Sequence, residues 1–216
     1  MTLPGDQDRI AIIGATGSGK THAGMWHLSL RNYDQKPWIV YDFKLEEFIA
    51  EIPGAFRLGV TDPVPERPGI YVVQPNIGEE DLVEQQMWEI WGKENIGVFV
   101  DEGYMLGNNN RGYRMLLTQG RSKHIPMIVL CQRPVWLDRF TFSEAQFFQI
   151  FHLNSAKDVQ TVEQYVPQDL SAQLPERYSY YYDIRTKSLV VLRPMPDKNA
   201  ILDTFDTKLR TLKKVI

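Results

Sequence analysis

Short runs of apolar residues alternate with segments of helical character up to residue 146. Each run is apolar at nearly every position, which is typical of strands that are buried on both faces of a sheet. The predicted strands are residues 9–13, 38–41, 55–58, 70–73, 96–100 and 126–131. The predicted helices are residues 20–32, 45–52, 79–93 and 113–123. This alternation predicts an α/β fold with a mostly parallel sheet and helices on both faces.

The pattern changes after Gln146. Residues 147–153 predict one more strand, and residues 156–165 predict a helix. Residues 177–184 and 188–192 predict a C-terminal β-hairpin. Because side chains alternate along a strand, its first strand should carry tyrosines on both faces. Those on one face are Tyr178, Tyr180 and Tyr182, and Tyr181 lies on the other.

A C-terminal helix is predicted from Asp197 onward. Apolar residues recur there at spacings of three and four, which indicates one buried face. They are Leu202, Phe205, Leu209, Leu212 and Ile216. We therefore predict a domain over residues 1–196 and a helical tail over residues 197–216. The tail docks either on its own domain or on another protein, and the sequence leaves both open.

The helix predicted over residues 79–93 also has one apolar face. It comprises Leu82, Met87, Trp88, Ile90 and Trp91. This arrangement favours packing of both tryptophans against the sheet.

Composition narrows the class of protein. The chain has 216 residues, of which 43% are hydrophobic, and a formal net charge of −3. These values suit one folded domain and argue against nucleic acid wrapped over the whole surface. Cys131 is the only cysteine and lies in a predicted buried strand, so a reducing, intracellular setting is expected. No apolar run reaches the length of about 18–20 residues that a membrane span needs, so no membrane-spanning helix is expected.

A glycine-rich turn between the first strand and the first helix carries the clearest chemistry. It fits the pattern G-x-x-x-x-G-K-[ST], whose backbone N–H groups surround phosphate oxygens. Its residues are Gly14, Ala15, Thr16, Gly17, Ser18, Gly19, Lys20 and Thr21. Lys20 is expected to bridge the β- and γ-phosphates, and the Thr21 hydroxyl to ligate Mg²⁺. The sequence therefore predicts a P-loop NTPase fold that binds ATP and Mg²⁺.

Two acidic residues follow the strand at residues 96–100. Ligands of open α/β sheets bind at the carboxyl ends of strands, which is where Asp101 and Glu102 are predicted to lie. Asp101 is a candidate for holding Mg²⁺, and Glu102 for polarising the attacking water. Acidic residues also commonly end strands for purely structural reasons. With the phosphate loop upstream, the pair favours ATP hydrolysis over phosphate transfer to a small molecule.

Three further motifs resemble the FtsK/HerA superfamily of DNA-pumping ATPases, over about residues 9–154. Asp42-Phe43-Lys44 is similar to the D-x-K that closes the second strand in many members. Cys131-Gln132-Arg133-Pro134 is similar to their T-Q-R-P sensor, with cysteine replacing threonine. Arg121 lies where the family places an arginine finger.

The resemblance implies a RecA-like fold and roles for two more residues. Gln132 would sense the γ-phosphate or the water, and Arg121 would stabilise charge in the transition state. Arg111, Arg114 and Arg133 are alternative fingers. A finger acting on a neighbouring subunit would complete the active site only in a homo-oligomeric ring, a pentamer or a hexamer.

Within the superfamily, the chain most resembles the genome-packaging ATPases of tailless icosahedral viruses with an internal membrane. This implies a motor that pumps double-stranded DNA, without sequence preference, into a preformed capsid. The expected partners are DNA, other copies of the chain and capsid vertex proteins, and the expected location is the host cytoplasm and the virion. A filamentous-phage-type assembly or DNA-transfer ATPase stays open, as does a nucleotide-binding switch or scaffold with negligible turnover.

Two segments have more than one interpretation under this resemblance. The polar loop at residues 107–114 either lines a central pore and touches DNA phosphates or is a solvated connector. The predicted tail helix packs on its own domain, or on a neighbouring subunit or capsid protein.

Overall fold

The computed structural model describes residues 2–107, 109–167, 169–170, 172 and 174–213, with side chains as far as residue 209. Its described residues form a sheet in the strand order β3-β4-β2-β5-β6-β1-β7-β8-β9. The strands are β1 Arg9–Ile13, β2 Pro37–Asp42, β3 Phe56–Leu58, β4 Gly69–Val73, β5 Gly97–Asp101, β6 Met127–Cys131, β7 Phe147–Ile150, β8 Ser179–Asp183 and β9 Ser188–Leu192. Strands β1 to β7 pair in parallel, and β8 and β9 add antiparallel strands beside β7. The predicted α/β fold with a C-terminal hairpin is confirmed.

Helices cover both faces of this sheet. They are α1 Lys20–Ser29, α2 Glu47–Ala50, α3 Glu80–Lys93, α4 Arg111–Gln119, α5 Arg139–Ser143, α6 Ala156–Glu163 and α7 Lys198–Lys213. Side chains of one strand divide between two buried cores, as the alternation along a strand requires. In β5, Val98 and Val100 join the core beneath α3 and α4, whereas Phe99 joins the core beneath α1 and α7.

Three of the four hairpin tyrosines lie in the strand as predicted, whereas Tyr178 lies before β8, which begins at Ser179. Tyr180 and Tyr182 belong to the core beneath α3 and α4, and Tyr181 belongs to the opposite core. The Tyr181 hydroxyl donates a hydrogen bond to the carbonyl of Thr2 at 3.0 Å. These tyrosines therefore pack the sheet.

The C-terminal helix packs on its own domain. Ile201, Phe205 and Leu209 are buried in the same core as residues of α1. Leu202, predicted for this face, is only partly buried, because Ile201 occupies the position facing the core. The side chains of Leu212 and Ile216 lie outside the described residues. The domain division after residue 196 stays a prediction.

The prediction for the tryptophans of α3 is wrong for Trp88. Its side chain is 38% exposed, whereas Val83, Met87 and Ile90 occupy the buried face. Trp91 packs at the border of the core, and the ring of Trp88 meets it edge-on at 6.0 Å between centroids. The apolar stripe was therefore misplaced by part of a helical turn.

Several element boundaries also differ from the predictions. Helix α4 begins at Arg111, because the Asn110 side chain accepts a hydrogen bond from the backbone N–H of Tyr113 at 2.7 Å. It ends at Gln119, and residues 120–124 turn back toward β6. Helix α2 begins at Glu47 because Leu45 has a left-handed backbone, with φ of 56°. Among the described residues, no helix is both long and apolar enough to cross a membrane.

Candidate active site

The order of strands brings the predicted motifs to one edge of the sheet. Strand β6 lies between β1, which leads into the phosphate loop, and β5, which ends at Asp101. The three strands end nearly level, since Ile13 pairs with Cys131 and Val100 pairs with Val129. The residues that follow these ends therefore lie side by side.

The phosphate loop has a backbone that two of its glycines make possible. Gly19 has φ of 103° and immediately precedes α1, so a left-handed residue turns the chain into the helix. A Cβ atom on Gly14 would lie 2.5 Å from the Ser18 hydroxyl oxygen and 2.7 Å from the Phe151 Cβ atom. The first N–H groups of α1 have no partner within the helix, and its positive dipole end lies at the loop. The arrangement is suited to binding phosphates.

A cavity of about 460 Å³ opens over this loop. It is bounded on one side by loop residues, including Lys20 and Thr21, and on the other by residues 194–197 before α7 and by Lys198, the first residue of α7. Lys44 and Arg177 contribute positive charge to its wall. The cavity is thus built from the phosphate loop and from the C-terminal segment together.

Glu102 is held by three donors on two sides. Its Oε1 atom is 2.9 Å from the Lys20 ammonium nitrogen and also contacts the ammonium group of Lys44. Its Oε2 atom accepts the backbone N–H of Gln132 at 3.1 Å. The side chain is fully buried, and its backbone is left-handed, with φ of 60°. The side chains of Lys20 and Glu102 and the backbone of Gln132 are therefore brought together.

Asp101 is equally buried but has a different environment. Neither of its carboxylate oxygens has a hydrogen-bond partner among the described residues. Burial, and next the charge of Glu102, raise the pKa of Asp101 to about 7, against the opposing charges of Lys20 and Lys44. An unpartnered buried carboxylate is costly unless a cation completes it. Carboxylate and hydroxyl oxygens are suitable Mg²⁺ ligands, so Asp101 and Thr21 fit that ion.

The two polar residues of the Asp42-Phe43-Lys44 motif have different roles, since Asp42 stabilises the backbone and Lys44 lies in the site. Asp42 is buried and accepts hydrogen bonds from the Gln74 side-chain amide at 2.8 Å and the Glu46 backbone at 3.0 Å. It therefore shapes the turn after β2. Lys44 reaches the site, a role that the sequence reasoning missed. The parallel pairing of Asp42 with Asp101 places the two strand ends side by side and is the signal that could have revealed it.

Arg177 is a second residue that the sequence reasoning missed. It lies shortly before β8, has φ of 62°, and its side chain is 62% exposed. It borders both the cavity over the phosphate loop and a smaller one of about 320 Å³ that this loop also lines. No sequence motif marks it, since only the folding of residues 174–178 over the loop places it there.

Arg121 lies at the opposite edge of the sheet from the phosphate loop. It belongs to the turn after α4, where the Ile125 N–H bonds to the Gly120 carbonyl and the Asn95 N–H to the Lys123 carbonyl. These contacts are at the amino ends of β5 and β6. Burial lowers the pKa of Arg9, at the start of β1, to about 10, and the charge of Arg121 acts in the same direction. Arg121 therefore does not join Lys20 and Glu102 within one subunit.

The alternative fingers are placed differently. Arg133 bonds through Nε to the Asp158 carboxylate at 3.0 Å, and Arg114 bonds to Asp138 at 3.0 Å. Arg111 is exposed at the start of α4, on the phosphate-loop edge. The finger assignment to Arg121 stays a prediction.

Comparison with known proteins gives the family. A scan against protein-family models finds no match. The DNA packaging ATPase P9 of Enterobacteria phage PRD1 is 43% identical to the chain and is aligned over 95% of both sequences. The chain belongs to the family of this packaging ATPase. The resemblance to virus packaging ATPases that the motifs indicated is thereby confirmed.

Solved structures agree with this family on the fold. The genome packaging NTPase B204 from Sulfolobus turreted icosahedral virus 2, in complex with ATP-γS, superposes with a TM-score of 0.70 at 15% identity. The match covers 88% of this chain and 99% of B204. EssC ATPases 2 and 3 from Geobacillus thermodenitrificans give a TM-score of 0.64 at 12% identity, over 97% of this chain and 44% of EssC. At these identities the likeness is one of fold, and it matches the predicted P-loop NTPase class.

Proposed function

We propose that the chain is an ATP-hydrolysing motor that pumps double-stranded viral DNA into a preformed capsid. The observation that carries the proposal is the cluster of Lys20, Asp101 and Glu102 beside the phosphate loop, in a chain of the packaging ATPase family. The family supports the DNA substrate, and the cluster supports hydrolysis.

Different residues of the site bind the phosphates and accept the proton. Backbone N–H groups of the loop and the positive end of α1 bind the phosphates, and Lys20 compensates charge on the β- and γ-phosphates. Glu102 accepts a proton as the water oxygen attacks the γ-phosphorus and the bond to ADP breaks. Thr21 and Asp101 would hold Mg²⁺. When bound, that ion would neutralise negative charge on the phosphate oxygens.

Two residues adjust the reaction. The backbone N–H of Gln132 bonds to one oxygen of Glu102, and Gln132 directly follows β6, the strand between β1 and β5. It can therefore report the γ-phosphate to the base. Arg121 acts as a finger on the active site of a neighbouring subunit, because it lies at the far edge of the sheet and cannot reach the site of its own subunit.

The partners follow from this division. A finger acting between subunits requires a homo-oligomeric ring, and Arg111, exposed at the start of α4, faces the DNA in its centre. The ring works at the vertex of a capsid, first in the host cytoplasm and then in the virion.

The test measures ATP turnover with and without double-stranded DNA of unrelated sequences. Turnover should rise with DNA of any sequence, and capsids prepared without the chain should lack packaged DNA. Turnover that stays negligible with DNA and capsids would support a nucleotide-binding switch instead. Normal packaging in the absence of the chain would refute the motor, whereas normal packaging with Glu102→Gln would refute only Glu102 as the base.

A further inference from the structure

Lys44 and Lys20 share one oxygen atom of Glu102. Both ammonium groups contact Oε1, Lys20 at 2.9 Å. Two nitrogens that bond to one oxygen are separated by no more than about 6 Å. Lys20 is the lysine expected at the β- and γ-phosphates. The Lys44 ammonium group is therefore close enough to that of Lys20 for both to bind one phosphoryl group.

The backbone at both ends of the Lys44–Glu102 pair is bent in an unusual way. Leu45, next to Lys44, has φ of 56°, and Glu102 has φ of 60°. Left-handed conformations cost non-glycine residues on the order of 1 kcal/mol or more and are often found at functional sites. Leu45 is also 66% exposed, so burial does not compensate for its conformation. The two bends therefore lie at Glu102 and directly after Lys44, the two residues whose side chains meet.

Lys44 differs from Glu102 in its access to the cavity. Its side chain is 31% exposed and lines the cavity over the phosphate loop, whereas Glu102 is fully buried. Burial alone lowers the pKa of Lys44, but the hydrogen bond to Glu102 and the charges of Glu102 and Asp101 raise it overall. Lys44 is thus a charged group at the border of the nucleotide cavity.

Glu102 is the residue that Lys44 would have to leave when a nucleotide binds. Oε2 is occupied by the Gln132 N–H, and Oε1 by both lysines. When Lys20 moves to the phosphates of a nucleotide, Lys44 still occupies Oε1. A γ-phosphate within reach of Lys44 would then compete with Glu102 for its ammonium group.

We propose that Lys44 is a second phosphate-binding lysine, which exchanges Glu102 for the γ-phosphate of ATP. This rests on the proposed ATP hydrolysis. ADP lacks the γ-phosphate and leaves Lys44 on Glu102, so the exchange occurs only when ATP is bound. The γ-phosphate, with up to two negative charges, competes well with a single carboxylate for one ammonium group.

Nucleotide binding tests the exchange without DNA, capsids or turnover. The dissociation constants of ATP-γS and ADP are measured by calorimetry for the full chain and for Lys44→Ala. We expect the preference for ATP-γS over ADP to fall about tenfold, the scale of one lost charge-assisted hydrogen bond, while ADP affinity stays within about twofold. Lys44→Arg should keep most of the preference.

A matched control separates this from a general charge effect. Lys93 on α3 has similar exposure, 28%, and pairs with Glu89 at 3.1 Å, away from the cavity. Lys93→Ala should leave the preference unchanged. Lys44→Ala should fold, because Lys20 and the Gln132 N–H still accompany the buried Glu102, and thermal unfolding checks this.

The other outcomes are decisive as well. An unchanged preference in Lys44→Ala, or an equal loss of ATP-γS and ADP affinity, would overturn the exchange. A confirmed exchange without DNA-stimulated turnover would instead count against the packaging motor alone.

Discussion

Asp101 and Glu102 are adjacent and both fully buried, but within the described structure only the carboxylate of Glu102 has hydrogen-bond partners. The left-handed backbone of Glu102 turns its side chain toward Lys20 and Lys44, while Asp101 continues β5. One carboxylate is therefore fixed by protein donors, and the other is left for a cation. This difference supports separate roles for the base and the metal ligand.

The base can be tested by a neutral isostere. Glu102→Gln should bind ATP-γS but hydrolyse ATP at least ~10²-fold more slowly, the scale of a lost catalytic base. Lys20→Ala should instead lose nucleotide binding. Binding by calorimetry and single-turnover hydrolysis give the two quantities, and near-normal hydrolysis by Glu102→Gln would exclude it as the base.

Arg177 should contribute to nucleotide binding. Its guanidinium borders both cavities at the phosphate loop, so its loss should weaken ATP-γS affinity about tenfold. Arg177→Gly keeps the left-handed backbone without strain, whereas Arg177→Ala retains the strain. Equal losses in both variants would identify the guanidinium as the cause. Wild-type affinity in the glycine variant would assign Arg177 a backbone role only.

Sequence reasoning located the parts of the site that follow from local patterns. The strand, glycine turn and helix around Lys20 are contiguous, and Asp101 and Glu102 directly follow an apolar strand. Lys44 and Arg177 required knowledge of which strand ends are neighbours. Trp88 was misplaced because several apolar residues of α3 allow two overlapping stripes, and only packing decides between them.

His27 should make stability depend on pH. It is buried in α1, its Nε2 lies 2.9 Å from the Gln149 side-chain oxygen, and burial lowers its pKa to about 4. Below pH 6.5 the unfolded chain gains a proton at His27 that the folded chain does not gain until about pH 4. The free energy of unfolding should therefore fall as pH decreases through this window, by about 1 kcal/mol between pH 7.5 and 5.5.

Urea unfolding of the wild type and of His27→Gln at both pH values measures this contribution. Groups such as Asp101 titrate in both proteins, so the difference between their pH dependences isolates His27. Equal pH dependences would contradict the prediction.

Arg111 should contribute to DNA binding through a backbone phosphate. It is exposed beside the loop at residues 107–110, whereas Arg114 is paired with Asp138. Arg111→Ala should reduce the slope of log affinity against log salt by about one unit for any DNA sequence. Arg114→Ala should change it less. An unchanged slope in Arg111→Ala would make the loop a connector.

Arg121 can be tested by mixing two inactive variants. The amino edge, where Arg121 lies, is separated from the phosphate-loop edge by the length of β1, about 13 Å. Arg121→Ala should therefore keep ATP affinity but lose on the order of 10³-fold in turnover, because the missing group belongs to a neighbour's site.

Mixed rings of Arg121→Ala and Glu102→Gln decide whether the finger acts between subunits. Some interfaces in such rings pair an intact Glu102 with an intact Arg121 from the adjacent copy, so part of the activity should return. If both residues served one subunit's site, every copy would carry a defect and no site would be whole. Subunit exchange must first be shown, for example with differently labelled copies. Mixed rings that stay inactive would refute Arg121 as the finger and would direct the same experiment to Arg111, the exposed arginine at the phosphate-loop edge.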